Sequence, residues 1–248
     1  MVNFQFGTGR LSAYVLRKGM GTGPPDGKAG MTRRLSLSSE GRAVSVFLHR
    51  FDLPEDVRFS GPVAVDTEAM GLDFGRDRLC LVQLSDGGDH IHLVQILPGA
   101  APPERLMRIL GDGGVLKLLH FARFDIAMVR KQFGLLMAPI YCTKIASKLA
   151  RTYTDRHGLK DVVKELLGRD VSKEQQSSDW GADQLSDSQL LYAAADVLHL
   201  HALKDRLDAI LMREGRMALA QACFDFLPTR ALLDLAGWPD IDIFSHSS

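Results

Sequence analysis

A change of pattern along the chain constrains the fold more than any other feature. The first half contains short apolar runs bounded by turn residues, which predict strands. These runs lie at residues 62–66, 79–84, 91–96, 115–121 and 140–142. After the last of them the apolar spacing is almost wholly helical. Because this order is typical of α/β proteins, we predict a mixed five-stranded sheet flanked by helices and a helical carboxyl-terminal half.

Apolar residues at helical spacing predict six helices. Two of them, at residues 102–110 and 122–133, lie between predicted strands. The other four lie in the second half, at residues 143–151, 159–167, 187–213 and 214–226. The sequence D-G-G-D at residues 86–89 is typical of a tight turn, so the strands on either side of it are predicted to form a hairpin.

The two ends of the chain differ in composition from the middle. Residues 19–30 form a run rich in glycine and proline that offers little to bury, so we expect residues 1–43 to be a flexible extension. Residues 44–227 are expected to form one domain. Residues 228–248 carry Trp238 and Phe244 in a polar setting, and we interpret them as a tail that docks on another surface.

Composition narrows the class of protein. The chain has 30 basic and 30 acidic residues, so its formal net charge is zero, whereas proteins that grip long nucleic acids usually carry a basic excess. Its three cysteines are widely spaced, which favours reduced thiols over disulfides or a zinc site. We find neither an apolar run long enough to span a membrane nor a secretory signal pattern. We therefore expect a cytoplasmic protein that does not bind membranes.

Four carboxylates and one phenol form the most informative constellation. Asp66 and Glu68 end a predicted strand two residues apart, so both side chains point to one face. Asp125 opens a predicted helix, and Tyr192 and Asp196 lie one helical turn apart. Each pattern alone also fits a solvated turn, a helix cap or a packed tyrosine. Together they favour a two-metal phosphodiesterase, because carboxylate oxygens are the ligands that Mg²⁺ and Mn²⁺ prefer.

The segments that contain these residues resemble the three motifs of the DEDD 3′–5′ exonucleases. The segments are D-T-E-A-M-G-L, H-F-A-R-F-D and Q-L-L-Y-A-A-A-D-V-L-H-L. Leu191 occupies the position of the histidine that marks one branch, and Tyr192 matches the tyrosine branch. The segment L-L-G-R-D-V-S-K-E-Q-Q-S-S-D-W is similar to the ribonuclease D family, and the carboxyl-terminal segment is similar to its compact nano-RNase C group. The resemblance implies a ribonuclease H-like fold.

The resemblance also implies roles for the five residues. Asp66, Glu68, Asp125 and Asp196 are expected to hold two Mg²⁺ or Mn²⁺ ions, and Glu68 is counted with Tyr192 among the catalytic residues. A phenol with a pKa near 10 is a poor base at neutral pH, so the Tyr192 hydroxyl is expected to orient the attacking water. The expected product is a 5′-mononucleotide.

Six further residues are candidate substrate contacts. Leu72 and Met70 follow the first motif, and Leu72 resembles the apolar wedge that this class inserts between terminal bases, with core packing as the alternative. Phe121 is expected either to stack on a base or to fill the sheet. Three basic residues, His120, Arg151 and His157, are candidate phosphate contacts. The last two lie in the stretch 151–157, which precedes the helix expected from residue 159, and a solvated charged loop is the alternative for them.

The neutral charge and the resemblance favour a 3′–5′ exoribonuclease that acts on short RNA, including dinucleotides. Two alternatives are the trimming of longer structured RNA and DNA exonuclease activity. A module kept only for binding is a weaker alternative, because none of the five residues is lost. The tail and the resemblance further predict homo-oligomers.

Overall fold

The computed structural model describes residues 32–39, 42–171, 175 and 177–246, and every structural statement refers to these residues. Seven strands form one sheet in the order β1-β2-β5-β4-β3-β6-β7. Neighbouring strands pair in both directions: β2/β5, β3/β6 and β6/β7 are parallel, and the other three pairs are antiparallel. The strands are β1 (Thr32–Ser39), β2 (Arg42–His49), β3 (Val63–Ala69), β4 (Leu79–Ser85), β5 (His90–Gln95), β6 (Lys117–Leu119) and β7 (Ile140–Cys142).

The predicted mixed sheet is confirmed, but it has seven strands and not five. The additional strands, β1 and β2, form an antiparallel hairpin. Leu35 and Leu37 alternate with polar residues in β1, and both are buried. The ordered fold therefore begins by Thr32, inside the range 1–43 that we expected to be a flexible extension. The glycine- and proline-rich run at 19–30 lies outside the described residues.

Seven helices surround the described sheet. They are α1 (Glu104–Gly111), α2 (Ala122–Phe133), α3 (Thr143–Ala150), α4 (Leu159–Leu167), α5 (Asp187–Leu198), α6 (Leu200–Arg213) and α7 (Met217–Leu235). The helix predicted at 187–213 is two helices that meet at His199, whose ring nitrogen lies 3.1 Å from the Arg169 guanidinium. Among the described helices, none combines the length and hydropathy that a membrane span requires.

The last helix, α7, continues past the predicted end at residue 226 and contains Pro228. Its buried residues Phe224, Leu227 and Ala231 lie on both sides of the proline, so tertiary packing outweighs the lost backbone hydrogen bond. The boundary that we placed between residues 227 and 228 therefore falls inside a helix.

The chain beyond α7 folds back over α2 and α7. Asp234 is fully buried and accepts hydrogen bonds from Arg123 of α2 and Arg230 of α7. Both arginines also donate to the carbonyl oxygen of Pro239, at 3.0 Å for Arg230. The predicted tail thus docks on its own chain through two arginines, while Phe244 remains 75% exposed.

The strand register assigns the two faces of the sheet. Asp66 of β3 pairs with Gln83 of β4, which pairs with Leu93 of β5, so these side chains share a face. Helix α5 packs across this face and contacts strands β1 to β5. The opposite face of β3 carries Thr67 and meets α2. The end of β3 therefore lies between two helices that both carry acidic residues.

Helix α5 is anchored at its first turn. Ser186 and Gln189 form a reciprocal capping box, which satisfies backbone donors at the start of the helix. Arg33 of β1 donates to the Leu185 carbonyl oxygen at 2.9 Å and pairs with Asp187. These contacts fix the position of α5 on the sheet, and hence the position of the side chains one and two turns further along.

Candidate active site

Three carboxylates meet where α5 crosses the end of β3. Asp66 and Glu68 lie two residues apart on β3 and point to the same face, and Asp196 reaches them from α5. Each offers one ligand oxygen, and these oxygens all lie within 4.8 Å of one another. The structure thus brings together three of the four predicted ligands in the geometry of a cation site.

The fourth carboxylate, Asp125, approaches from the other face of the sheet. It lies in the first turn of α2 and is 3% exposed. Its Oδ1 accepts a hydrogen bond of 2.6 Å from the Thr67 hydroxyl, between Asp66 and Glu68 on β3. Asp125 lies outside the group of three mutually close ligand atoms, yet its charge raises the pKa of Asp66, Glu68 and Asp196.

Burial and mutual repulsion make this cluster electrostatically unfavourable without a cation. Burial, then the neighbouring carboxylates, raise the pKa of Asp66 well above its ordinary value and that of Glu68 to about 9. Burial raises the pKa values of Asp125 and Asp196 to about 7. In the described part of the chain no lysine or arginine forms an ion pair with any of the four. The oxygen-only ligand set and its uncompensated charge fit divalent cations.

Tyr192 lies one turn before Asp196 on α5, so the two side chains share a face of the helix. Burial and the negative charges of Asp196, Glu68 and Asp66 raise the pKa of its hydroxyl far above the ordinary value. The phenol therefore stays protonated at neutral pH and acts as a hydrogen-bond donor. The Trp180 ring packs near the Tyr192 ring, with the two ring centroids 6.1 Å apart.

Two polar residues that sequence reasoning missed hold the carboxylates in place. Gln83 is fully buried, and its Nε2 donates to Asp66 Oδ2 at 3.2 Å from the paired position on β4. Thr67 holds Asp125, as described above. The role of Gln83 can be predicted only when the register between β3 and β4 is known. Thr67 could have been predicted, because it lies between the two acidic residues of the first motif.

Three candidate substrate contacts are exposed apolar side chains near this cluster. Met70, Leu72 and Phe121 are 58%, 80% and 45% exposed. Phe121 has φ +68°, which makes it the single non-glycine residue with positive φ in the described chain. This strained conformation presents the ring at the start of α2, four residues before Asp125. Lys144, another residue missed from sequence, lies over the ring with its Nζ 4.2 Å from the centroid.

The three predicted phosphate contacts occupy different environments. His120 Nδ1 lies 2.9 Å from the Thr143 hydroxyl, and burial lowers the pKa of the ring to about 3, so it is neutral. His157 is half-buried, with Nδ1 2.9 Å from the Ser147 hydroxyl. Neither ring offers a positive charge to a phosphate at neutral pH, because burial lowers the pKa of His157 as well.

Arg151 differs most from the expectation. Its side chain is fully buried and pairs with Glu165. Its NH1 donates to the Ser147 hydroxyl at 2.9 Å and to the Arg156 carbonyl oxygen at 2.8 Å. A guanidinium held in this way braces the loop after α3 and does not face a substrate. The exposed groups of this loop include Tyr153 and Arg156.

Comparison with known proteins agrees with this geometry. The model of a 3′–5′ exonuclease family matches residues 52–212. Ribonuclease D of Gluconacetobacter diazotrophicus is 38% identical over 62% of this chain and 39% of its own length. The structure of NrnC from Brucella melitensis is 52% identical, with a TM-score of 0.79, over 82% of this chain and 98% of that one. Other structures of that protein are described as with bound Mg²⁺ and bound to pGG.

The fold defines a nuclease-type hydrolase, and the acidic cluster is its candidate active site. The chain belongs to the 3′–5′ exonuclease family. Its curated ribonuclease D relatives are longer, and this chain spans about 39% of their length. The ribonuclease H-like fold and the ribonuclease D relationship expected from the motifs are confirmed.

Proposed function

We propose that this protein is a divalent-metal-dependent 3′–5′ exoribonuclease that degrades short oligoribonucleotides, including dinucleotides, and releases 5′-mononucleotides. The observation that carries the proposal is the meeting of Asp66, Glu68 and Asp196 within 4.8 Å, beside a tyrosine whose hydroxyl stays protonated at neutral pH. The likeness to NrnC, which covers almost all of that protein, supports a short substrate, because one of its structures is bound to pGG.

Asp66, Glu68 and Asp196, with Asp125 behind them, would hold two Mg²⁺ or Mn²⁺ ions. When bound, such ions lower the pKa of a coordinated water and stabilise negative charge on the phosphate oxygens. Gln83 and Thr67 orient Asp66 and Asp125, so the carboxylates are directed before any ligand arrives. The Mg²⁺-bound structure of NrnC supports this assignment.

Tyr192 acts as a positioning donor. Its hydroxyl is partly buried among the negative charges of Asp196, Glu68 and Asp66, so it does not ionise and does not serve as a general base. We assign it the orientation of the attacking water against the last phosphodiester bond. Glu68, with a strongly raised pKa, lies on the same side and completes the catalytic pair.

The terminal bases would contact Met70, Leu72 and Phe121, which are exposed although they are apolar. Leu72 follows Glu68 by four residues and Phe121 precedes Asp125 by four, so both are close to the cluster along the chain. Phe121 offers a ring for stacking, and Lys144 adds a positive charge beside it. His120 and His157 would contact the substrate as neutral hydrogen-bonding groups.

The second candidate function is the trimming of longer RNA or DNA from the 3′ end. It is favoured by the relationship to ribonuclease D and by 31% identity to DNA polymerase I of Aquifex aeolicus. A product time course on 5′-labelled RNAs of two to about seven nucleotides, with Asp66→Ala as the inactive control, separates the two. Slow cleavage of the dinucleotide and a rate that rises with length would favour the second function.

We further propose that the protein forms homo-oligomers in the cytoplasm. Trp238, Ile241 and Phe244 are exposed apolar residues at the carboxyl-terminal end of the described chain, and such a patch is typical of an interface. Cys80, Cys142 and Cys223 are free thiols, as expected in a reducing compartment. Light scattering that found a fully active monomer would contradict the oligomer.

A further inference from the structure

The turn between β3 and β4 presents the side chain of Leu72 to solvent. Leu72 is 80% exposed, the largest exposed fraction among the large apolar residues of the described chain. It lies four residues after Glu68 and lines a groove together with Phe121. An apolar side chain binds a substrate more tightly when it is already held in place, because a mobile group loses conformational freedom on binding.

Asp77 holds this turn from its buried side. Asp77 is 5% exposed, whereas Leu72 and Asp73 are exposed. Its Oδ2 accepts a hydrogen bond of 3.0 Å from the backbone N–H of Asp73, and its own backbone N–H donates to the Asp73 carbonyl oxygen at 2.8 Å. Asp77 thus binds both backbone polar groups of the residue directly after Leu72. Without this carboxylate the Asp73 N–H loses its partner, so the turn gains alternative conformations.

The same carboxylate lies against Gly71, the residue directly before Leu72. A β-carbon at position 71 would collide with Oδ2 of Asp77. Gly71 does not have a positive φ, so the close approach of the carboxylate, and not the backbone conformation, requires glycine here. The Asp77 carboxylate therefore contacts the chain on both sides of Leu72.

Two further contacts join the turn to α2. Lys131 donates to the Asp77 carbonyl oxygen at 2.7 Å, and the Phe74 ring packs against the Phe124 ring with centroids 5.6 Å apart. Asp125, the fourth carboxylate of the candidate site, lies in the first turn of the same helix. The turn is therefore tied to a helix that carries one of the site residues.

The ion pair between Asp77 and Arg76 does not account for this arrangement. Arg76 Nε lies 2.8 Å from Asp77 Oδ1, but the arginine side chain is 75% exposed. An ion pair with so exposed a partner contributes little to stability, because water screens it. The buried position of the carboxylate is explained by its contacts with the chain at residues 71 and 73.

We propose that Asp77 is a positioning residue that fixes Leu72 for contact with the terminal bases. Asp77 acts through the turn and is not one of the three carboxylates that meet at the end of β3. The turn is ordered when the protein folds and not when the substrate binds, so less conformational freedom is lost on binding. This inference rests on the proposed function, in which Leu72 contacts the substrate.

The test is a double-mutant cycle between Asp77 and Leu72, with kcat and KM measured on a dinucleotide and on a heptanucleotide. Asp77→Ala should raise KM about tenfold and leave kcat within about twofold, because a hydrogen bond to a charged group that supports binding is lost. In a chain that already carries Leu72→Ala, Asp77→Ala should raise KM less than about twofold, because the side chain that the turn presents is gone. Asp77→Asn keeps an oxygen that can accept from the Asp73 N–H and should recover most of the wild-type KM.

Gly71→Ala perturbs the same contact without removing the carboxylate, and it provides the test if Asp77→Ala does not fold. It should raise KM in the wild-type background and have little effect beside Leu72→Ala. The matched control is Asp86→Ala, which removes a hydrogen bond to the Gly88 N–H in the turn at the opposite end of β4 and should leave KM unchanged. A Mg²⁺ titration of activity should be the same in all variants, since no carboxylate of the candidate site is altered.

Equal rises of KM on Asp77→Ala with and without Leu72, or an equal rise in the Asp86→Ala control, would overturn the positioning role. A fall in kcat without a rise in KM would overturn it as well. A wild type that cleaves the heptanucleotide but not the dinucleotide would contradict the proposed function, and the cycle on the heptanucleotide would still test Asp77.

Discussion

Two buried acidic sites in this protein have opposite electrostatic character. At the end of β3, Asp66, Glu68 and Asp196 crowd together with Asp125 behind them, and no described cation pairs with them. At the end of α7, Asp234 is equally enclosed but carries two arginine partners. Folding favours the second arrangement and tolerates the first only at a cost in stability.

The difference in charge compensation indicates that the cluster at the end of β3, and not the paired Asp234, is the functional site. A cluster of like charges whose pKa values are raised by burial and repulsion opposes folding through that repulsion. Sites of this kind persist where a ligand, here a divalent cation, supplies the missing charge. The same chemical change should therefore have opposite consequences at the two sites.

The largest effect is expected for Asp66→Asn. Activity should fall by at least about 10³-fold, because the cluster loses a charged ligand oxygen. The free energy of unfolding of the metal-free protein should not fall and should rise by up to about 1 kcal/mol, since repulsion is relieved. Denaturant unfolding in a chelator and kinetics in Mg²⁺ measure the two quantities. A clear loss of stability would contradict the view that this cluster is electrostatically unfavourable.

The same substitution at the paired site, Asp234→Asn, should destabilise the protein by about 3 kcal/mol. It removes the negative charge that holds Arg123 and Arg230 and leaves both guanidinium groups poorly compensated. Denaturant unfolding under the conditions used for Asp66→Asn measures the difference. Equal stability of the two variants would remove the distinction between the sites.

Tyr192→Phe is expected to lower kcat by about 10²-fold with little change in KM or stability. The change removes the one hydroxyl that lies among the carboxylates and keeps the ring that packs near Trp180. Steady-state kinetics and a Mg²⁺ titration measure the effect. A near-normal kcat would exclude the positioning role.

The smallest effect is expected for Lys144→Met. The loss of the charge over Phe121 should raise KM about three- to fivefold and leave kcat nearly unchanged. Lys148→Met, one turn further along α3 and exposed, is the matched control. An equal rise of KM in both variants would show that only the general charge of the helix matters.

The fold and the site could be predicted from sequence to different depths. The bounds of α2 and α4 follow from local signals, since apolar spacing ends at Gly134 and Gly168, and both glycines have positive φ. Asp66, Glu68 and Asp196 were predictable because strand and helix periodicity bring them to shared faces. The segment T-R-R-L-S-L-S-S of β1, by contrast, has only two apolar residues. It forms a strand because it pairs with β2, which the local sequence does not reveal.

Contacts between distant segments set the limit of prediction. The burial of Arg151 depends on Glu165, which lies 14 residues later and on another helix. Gln83 reaches Asp66 only through the strand register, and Lys144 reaches Phe121 from a different helix. No local pattern marks these residues, because their environment is created by tertiary structure.

The link between β1 and α5 has a consequence for how this protein tolerates change. Arg33 sits on the edge strand, more than 30 residues before the nearest carboxylate of the acidic cluster, yet it holds the first turn of the helix that carries Tyr192 and Asp196. Natural variation or truncation at this edge should change the turnover rate at a smaller perturbation than is needed to unfold the protein. Selection on catalysis should therefore extend to β1, whose Arg33 acts on the cluster through the first turn of α5.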